Sequence, residues 1–176
     1  MTTINMTNTI ITSRTAALTH AAPSLLGKLL KLNLFIVIVA AALVSTPSYA
    51  KAPIYTSLFN NTAVSGYDAV SYFQDSGPVE GKKDFSTEYE GATWLFSSQE
   101  NLDIFKAEPT KYAPQYGGYC AYAVGVGSTA KGDPLQWYIE DDKLYLNINK
   151  SIRKKWLDDI DNYIKTGDEN WPKVLN

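Results

Sequence analysis

Along residues 85–90, Phe85, Thr87 and Tyr89 share one phase while Ser86, Glu88 and Glu90 share the other. This period of two predicts a half-buried strand. The Glu90-Gly91 turn and the apolar run after it make it a β-hairpin. Ser97 with Glu100 reads as a capping box that opens a short helix, whose inner face carries Leu102 and Phe105 with Ile104 alongside. Pro109 stops that helix, and Pro114 breaks the next segment. "LQWYIEDDKLYLNIN" predicts a second hairpin turning at Asp141-Asp142. Asn149 then caps a last helix, in which Ile152, Trp156, Ile160 and Tyr163/Ile164 keep an i, i+4 spacing. Trp171 is placed to pack back on it.

The remaining segments are less regular. Residues 65–73 look strand-like at Val70, Tyr72 and Phe73, residues 75–84 form a loop, and "GVGSTAKGDP" is a Gly-rich connection without the Lys-Ser/Thr of a phosphate loop. Residues 51–64 read as a lead-in with no clear period. No internal repeat is visible. These elements predict an α+β fold: a small compact single domain with two β-hairpins and short helices, its C-terminal helix packed on the sheet. Trp94, Trp137, Trp156, Phe96 and Phe105 fall on apolar phases and are expected to be buried.

The front of the chain differs in composition. Residues 1–50 contain no Asp or Glu, and "LFIVIVAAALV" is followed by Ser48-Tyr49-Ala50, with small residues at the −3 and −1 positions. Basic flank, short apolar core and small-residue site predict a signal peptide over residues 1–50, cleaved after Ala50. The apolar run is shorter than the ~20 residues of a spanning helix. An uncleaved anchor is the alternative; cleavage leaves no stable membrane anchor. The remainder carries all 18 acidic residues and 13 of the 16 basic ones, a formal charge of −5. No basic tract is left to neutralise a phosphate backbone, so no nucleic-acid partner is expected.

The single histidine, His20, lies in the leader. The mature chain therefore has no imidazole for a Ser-His or Cys-His dyad or a His-ligated metal. Its one cysteine, Cys120, comes after Gly117-Gly118 in "YAPQYGGYCAYAVG". Such a thiol is a redox group, a soft-metal ligand or a small core residue. Gly117 and Gly118 let the backbone bend and a ligand come close. Asp68, after Gly66-Tyr67 in an apolar segment, is either a functional carboxylate or a hydrogen-bonded one that fixes a turn. Asp141 and Asp142 suit a hairpin tip better than an acid pair. Lys150, Arg153, Lys154 and Lys155 make either an anion or partner patch or a solvated face with Lys154–Asp158 and Lys155–Asp159 pairs.

The segments "VSGYDAVSYF", "EYEGATWLFSS", "NLDIFKAEPTKYAPQYGGYCAYAV", "DPLQWYIEDDKLYLN", "WLDDIDNYI" and "NWP" resemble exported YHS-domain proteins of Gram-negative bacteria. The resemblance implies a YHS-like domain over residues 65–176 and a periplasmic location. It also implies a metal-binding class in which only Cys120 could serve as the ligand. Three functions are open. The first is a binding module in which Cys120, with Asp68 or a tyrosine such as Tyr67 or Tyr119, engages a soft metal ion such as copper or a small ligand beside Gly117 and Gly118. Two chains of a homodimer could then supply two sulfurs. The second is a single-thiol redox protein or sensor. The third is a non-enzymatic scaffold with a buried cysteine.

Overall fold

The computed structural model describes residues 50–176 apart from Leu58 and Asp75. The predicted leader lies outside the described residues. Among the described residues no helix is long and apolar enough to cross a membrane.

The fold is α+β, and two antiparallel hairpins organise it. β1 (Lys82–Tyr89) pairs with β2 (Ala92–Phe96), and β3 (Asp133–Glu140) pairs with β4 (Lys143–Asn147). Both expected turns are present. The Glu90-Gly91 and Asp141-Asp142 tips adopt positive φ throughout, which matches the twist of a two-residue hairpin. Helices α1 (Gln99–Ala107) and α2 (Pro109–Tyr112) come after the first hairpin; α3 (Ala121–Gly125) precedes the second, and α4 (Lys150–Leu157) and α5 (Ile160–Asn170) come after it.

Contrary to the sequence reading, the domain contains an internal structural repeat. Lys82 corresponds to Asp133, Ala92 to Lys143 and Gln99 to Lys150, an offset of 51 residues each time (133 − 82 = 51). Each hairpin has an eight-residue strand and a five-residue strand, with a register irregularity at the same point, between Lys82 and Ser86 and between Asp133 and Trp137. Each is preceded by a left-handed turn: Val64 and Ser65 at φ 50° and 53°, Tyr116 and Gly117 at φ 57° and 60°. A positive-φ glycine and an extended tyrosine close each turn, Gly66-Tyr67 and Gly118-Tyr119. The N–H of Gly81 then donates to Gly66 O at 2.8 Å, and that of Gly132 to Gly118 O at 3.2 Å. The helix after each hairpin is capped by a side-chain oxygen, from Ser98 in one half and Asn149 in the other.

The repeat extends into the cores. Trp94 of β2 stacks on Phe105 of α1 with ring centroids 4.8 Å apart; at the same offset, Tyr145 of β4 stacks on Trp156 of α4 at 5.2 Å. Around these pairs lie two clusters. The first gathers Val70, Tyr72, Phe96 and Leu102 with Leu144 and Leu146 from the second hairpin; the second gathers Tyr116, Tyr119, Val124 and Leu175. Leu144 and Leu146 thus join the halves, because β4 is buried on both faces.

Several expectations need correction. Residues 65–73 are not a strand: Ala63–Gly66 and Ser71–Phe73 are 3₁₀ turns. The cap of α1 is Ser98, not Ser97, since Asn101 N–H reaches Ser98 Oγ at 3.2 Å and Ser97 is engaged elsewhere. The last helix is two helices. It breaks at Asp159, whose φ of −149° and ψ of 54° are non-helical, although Ile160, Tyr163 and Ile164 still pack inward. The first of them, α4, packs against β3 and β4 of the second hairpin and against α3. Trp137 is half-buried rather than buried, lying at the margin where its ring meets the edge of Tyr72 at 5.6 Å. Trp94, Trp156, Phe96 and Phe105 are fully buried as expected. The lead-in is part of the domain: Lys51 N–H donates to Leu175 O at 2.7 Å, and Tyr55 N–H to Gly117 O at 2.8 Å.

Candidate functional site

Asp68 and Cys120 stand just after the two left-handed turns, each preceded by Gly-Tyr and followed by Ala. Both are 0% exposed. Each backbone N–H crosses to a neighbouring carbonyl, Asp68 to Val79 O at 2.8 Å and Cys120 to Ala130 O at 2.9 Å. The repeat therefore sets them in equivalent places, and they are not brought together.

The Asp68 carboxylate is fully committed. Oδ1 accepts from Val70 N–H at 2.9 Å and Ser71 N–H at 3.3 Å. Oδ2 accepts from Ser97 N–H at 2.9 Å, Ser97 Oγ–H at 2.7 Å and the Asn101 amide at 2.6 Å. Five donors around one buried carboxylate hold the Asp68 turn to the end of β2 and the start of α1. This is the arrangement by which an ionised group becomes tolerable inside a protein. Of the two readings open for Asp68, this geometry is that of the turn-fixing carboxylate.

In the second half, an amide does the same work from another position. The Cys120 side chain cannot cap the turn that comes after it. Asn147, the last residue of β4, supplies the oxygen instead: its Oδ1 accepts from Tyr122 N–H at 3.2 Å, the counterpart of the Val70 bond. The same oxygen faces the Cys120 thiol, with Sγ donating at 3.6 Å. The Asn147 Nδ2 is buried and has no partner among the described residues. Asn147 and Asn101 are absent from the residues that the sequence singles out, and Ser97 is singled out there only as a helix cap. A polar residue closing the apolar run "LYLN" is the available signal for the first.

The other candidates serve the fold around this centre. Tyr67 is half-buried and pairs with Glu80 across an isolated bridge. Tyr119 is buried, donates its hydroxyl to Ala52 O at 2.9 Å and packs edge-on to Tyr55 at 5.3 Å. Gly117 does permit close approach, but the approaching segment is this chain's own lead-in, whereas Gly118 faces Pro114 and Leu146. A Cβ on Gly117 would collide with Pro53 O. Among the described residues no three His, Cys, Asp or Glu side chains stand close enough to hold a metal ion.

On the surface beyond Cys120, Lys155 lies over the Tyr122 ring at 4.9 Å, and the Tyr122 and Tyr163 rings meet at 5.0 Å. The Lys155 hydrogen bond holds the Tyr122 phenol below its ordinary range. Of the two ion pairs expected on the last helix, Lys154–Asp158 is formed at 3.4 Å and exposed, whereas Lys155 takes this aromatic partner. Burial acts oppositely on the interior phenols: that of Tyr145 is pushed up to about 12, and those of Tyr72 and Tyr116 are raised further.

A YHS domain is found at residues 70–116. The YHS segment holds the first hairpin, α1 and α2, and ends at the second left-handed turn. Asp68 and Cys120 both flank the YHS segment, one on each side. No curated protein and no solved structure matches the chain.

Proposed function

We propose that this chain is an exported YHS-domain module that binds a small ligand and does not transform it. The observation that carries this reading is the commitment of both candidate groups to the fold. Asp68 has all its donors within the domain, and Cys120 is closed under Asn147 and Ala130. With no histidine in the mature chain, there is no imidazole base to activate a nucleophile.

Export to the periplasm is supported by the leader pattern. Ala50 is exposed, and Lys51 is the first described residue to bond to the body of the domain. A processing enzyme acting after Ala50 would leave that bond in place. Intact-mass measurement of the exported protein tests this, with a chain starting at Lys51 as the expected result.

A second reading keeps Cys120 as a soft-metal ligand. YHS domains are commonly associated with metal binding. The unpaired Nδ2 of Asn147 favours this reading, because a rotated amide would offer an N–H to a thiolate or a metal-bound sulfur. Such binding would require the thiol to be uncovered, with oxygen donors, or a second chain's sulfur, completing the shell. Elemental analysis of the protein purified from the periplasm, wild type beside Cys120→Ser, separates the two. The first reading predicts the same substoichiometric metal in both. One equivalent of copper in the wild type, lost in Cys120→Ser, would establish the second.

A further inference from the structure

A cleft of about 320 Å³ lies between the lead-in and the loop before β3. Lys51 and Lys131 line it, with the rings of Tyr55 and Tyr119 and the side chains of Thr56 and Thr129. Its size suits a small molecule, and it pairs apolar walls with a few polar groups. Its charge runs against that of the domain. The mature chain is acidic overall, at −5, yet this cleft has two lysines and no acidic residue in its lining. Neither lysine forms an ion pair among the described residues.

The internal repeat offers a comparison for one of these lysines. Tyr119 pairs with Lys131 across an isolated bridge, and its counterpart Tyr67 pairs with Glu80. The same backbone position carries a cation in one half and an anion in the other. The architecture alone therefore does not require a lysine there. Two unpaired ammonium groups at the wall of a partly apolar cleft create a local positive potential that recruits anions to an otherwise anionic domain.

We propose that this cleft binds a small organic anion, a carboxylate with an aromatic or apolar body. The carboxylate lies between Lys51 and Lys131 with Thr56 and Thr129 as further donors, and the body packs against Tyr55 and Tyr119. The site deepens the binding-module reading by naming its ligand class. The two fail separately, since the cleft is read by lysine variants and the module by the thiol and metal assays on Cys120→Ser.

The test is an NMR titration of the ¹⁵N-labelled mature protein with sodium benzoate, and with benzylammonium chloride as its cationic counterpart. Benzoate should give saturable shifts centred on the amides of Tyr55, Thr56, Tyr119 and Lys131, weakening as salt rises. Lys51→Ala, Lys131→Gln and Lys131→Glu should each weaken benzoate by about tenfold or more. Lys143→Ala, at the start of β4, should leave it unchanged. These lysines are exposed, so the variants should melt with the parent. Absence of saturable benzoate shifts in the wild type would overturn the proposal. So would equal binding of benzylammonium, or lysine variants that bind benzoate like the wild type.

Discussion

Asp68 and Cys120 stand at the same point of the two halves of the domain, each with its N–H bonded across to a neighbouring carbonyl, Val79 and Ala130. One half caps the ensuing turn with the residue's own carboxylate. The other uses the amide oxygen of Asn147 and leaves a small thiol beneath it. The pairing explains why an acid and a cysteine sit in apolar surroundings without forming a site together.

Asp68→Ala should destabilise the domain by roughly 3 kcal/mol, because five donors lose a charged acceptor and several of them stay buried. Urea unfolding followed by tryptophan fluorescence measures this. An unchanged midpoint would mean the carboxylate is not holding β2 and α1 to its turn.

Phe105 and Trp156 hold equivalent core places, so truncating either to Ala should cost about 3–5 kcal/mol. Trp156→Phe should cost far less. The indole N–H of Trp156 is buried without a partner among the described residues, and its removal takes away an unsatisfied donor along with some packing. The same denaturation series checks all three variants. A Trp156→Phe loss as large as the Ala loss would show that the N–H has a partner in solution.

Gly117 and Gly91 both have positive φ, at 60° and 78°, but only Gly117 is crowded. An alanine at 91 meets nothing within 4 Å and should cost only its backbone strain, about 1 kcal/mol. At 117 it would collide with Pro53 O and displace the lead-in, so the loss should be clearly larger. Comparing the two melting temperatures isolates the contact, and equal shifts would refute its importance.

The interior phenols set an alkaline limit. Burial raises the folded-state pKa of Tyr145 from 10.0 to about 12, and Tyr72 and Tyr116 are raised in the same sense. The unfolded chain ionises these groups first. Their contribution is thus fully present below pH 10 and is lost progressively as pH rises toward 12. Denaturation midpoints should fall across that window, and Tyr145→Phe should flatten part of the fall. A midpoint flat to pH 12 would contradict the burial assigned to these rings.

The hairpins are legible in the sequence because alternating Phe85, Thr87 and Tyr89 and the two acidic turns are local signals. Residues 65–73 mislead, since Tyr72 and Phe73 favour strands, whereas the Asp68 carboxylate, by holding the Val70 and Ser71 N–H groups, selects a turn. The choice of Ser98 over Ser97 as cap is likewise decided from afar, by Asp68. The repeat is hidden because the halves share little beyond Gly-Tyr-x-Ala at 66–69 and 118–121, while matching in backbone. Asp159 breaks a helix whose apolar spacing continues past it. The cleft of Lys51 and Lys131 is invisible in the sequence, since its walls come from segments far apart along the chain.

The burial of Cys120 is the central claim, and native thiol labelling tests it most directly. The mature protein is mixed with 5,5′-dithiobis(2-nitrobenzoic acid) at neutral pH, with and without denaturant, while released thionitrobenzoate is monitored. The account predicts no release until the protein unfolds, then one equivalent from its one cysteine. Prompt stoichiometric release from the native protein would contradict it and return Cys120 to the role of an open, reactive thiol.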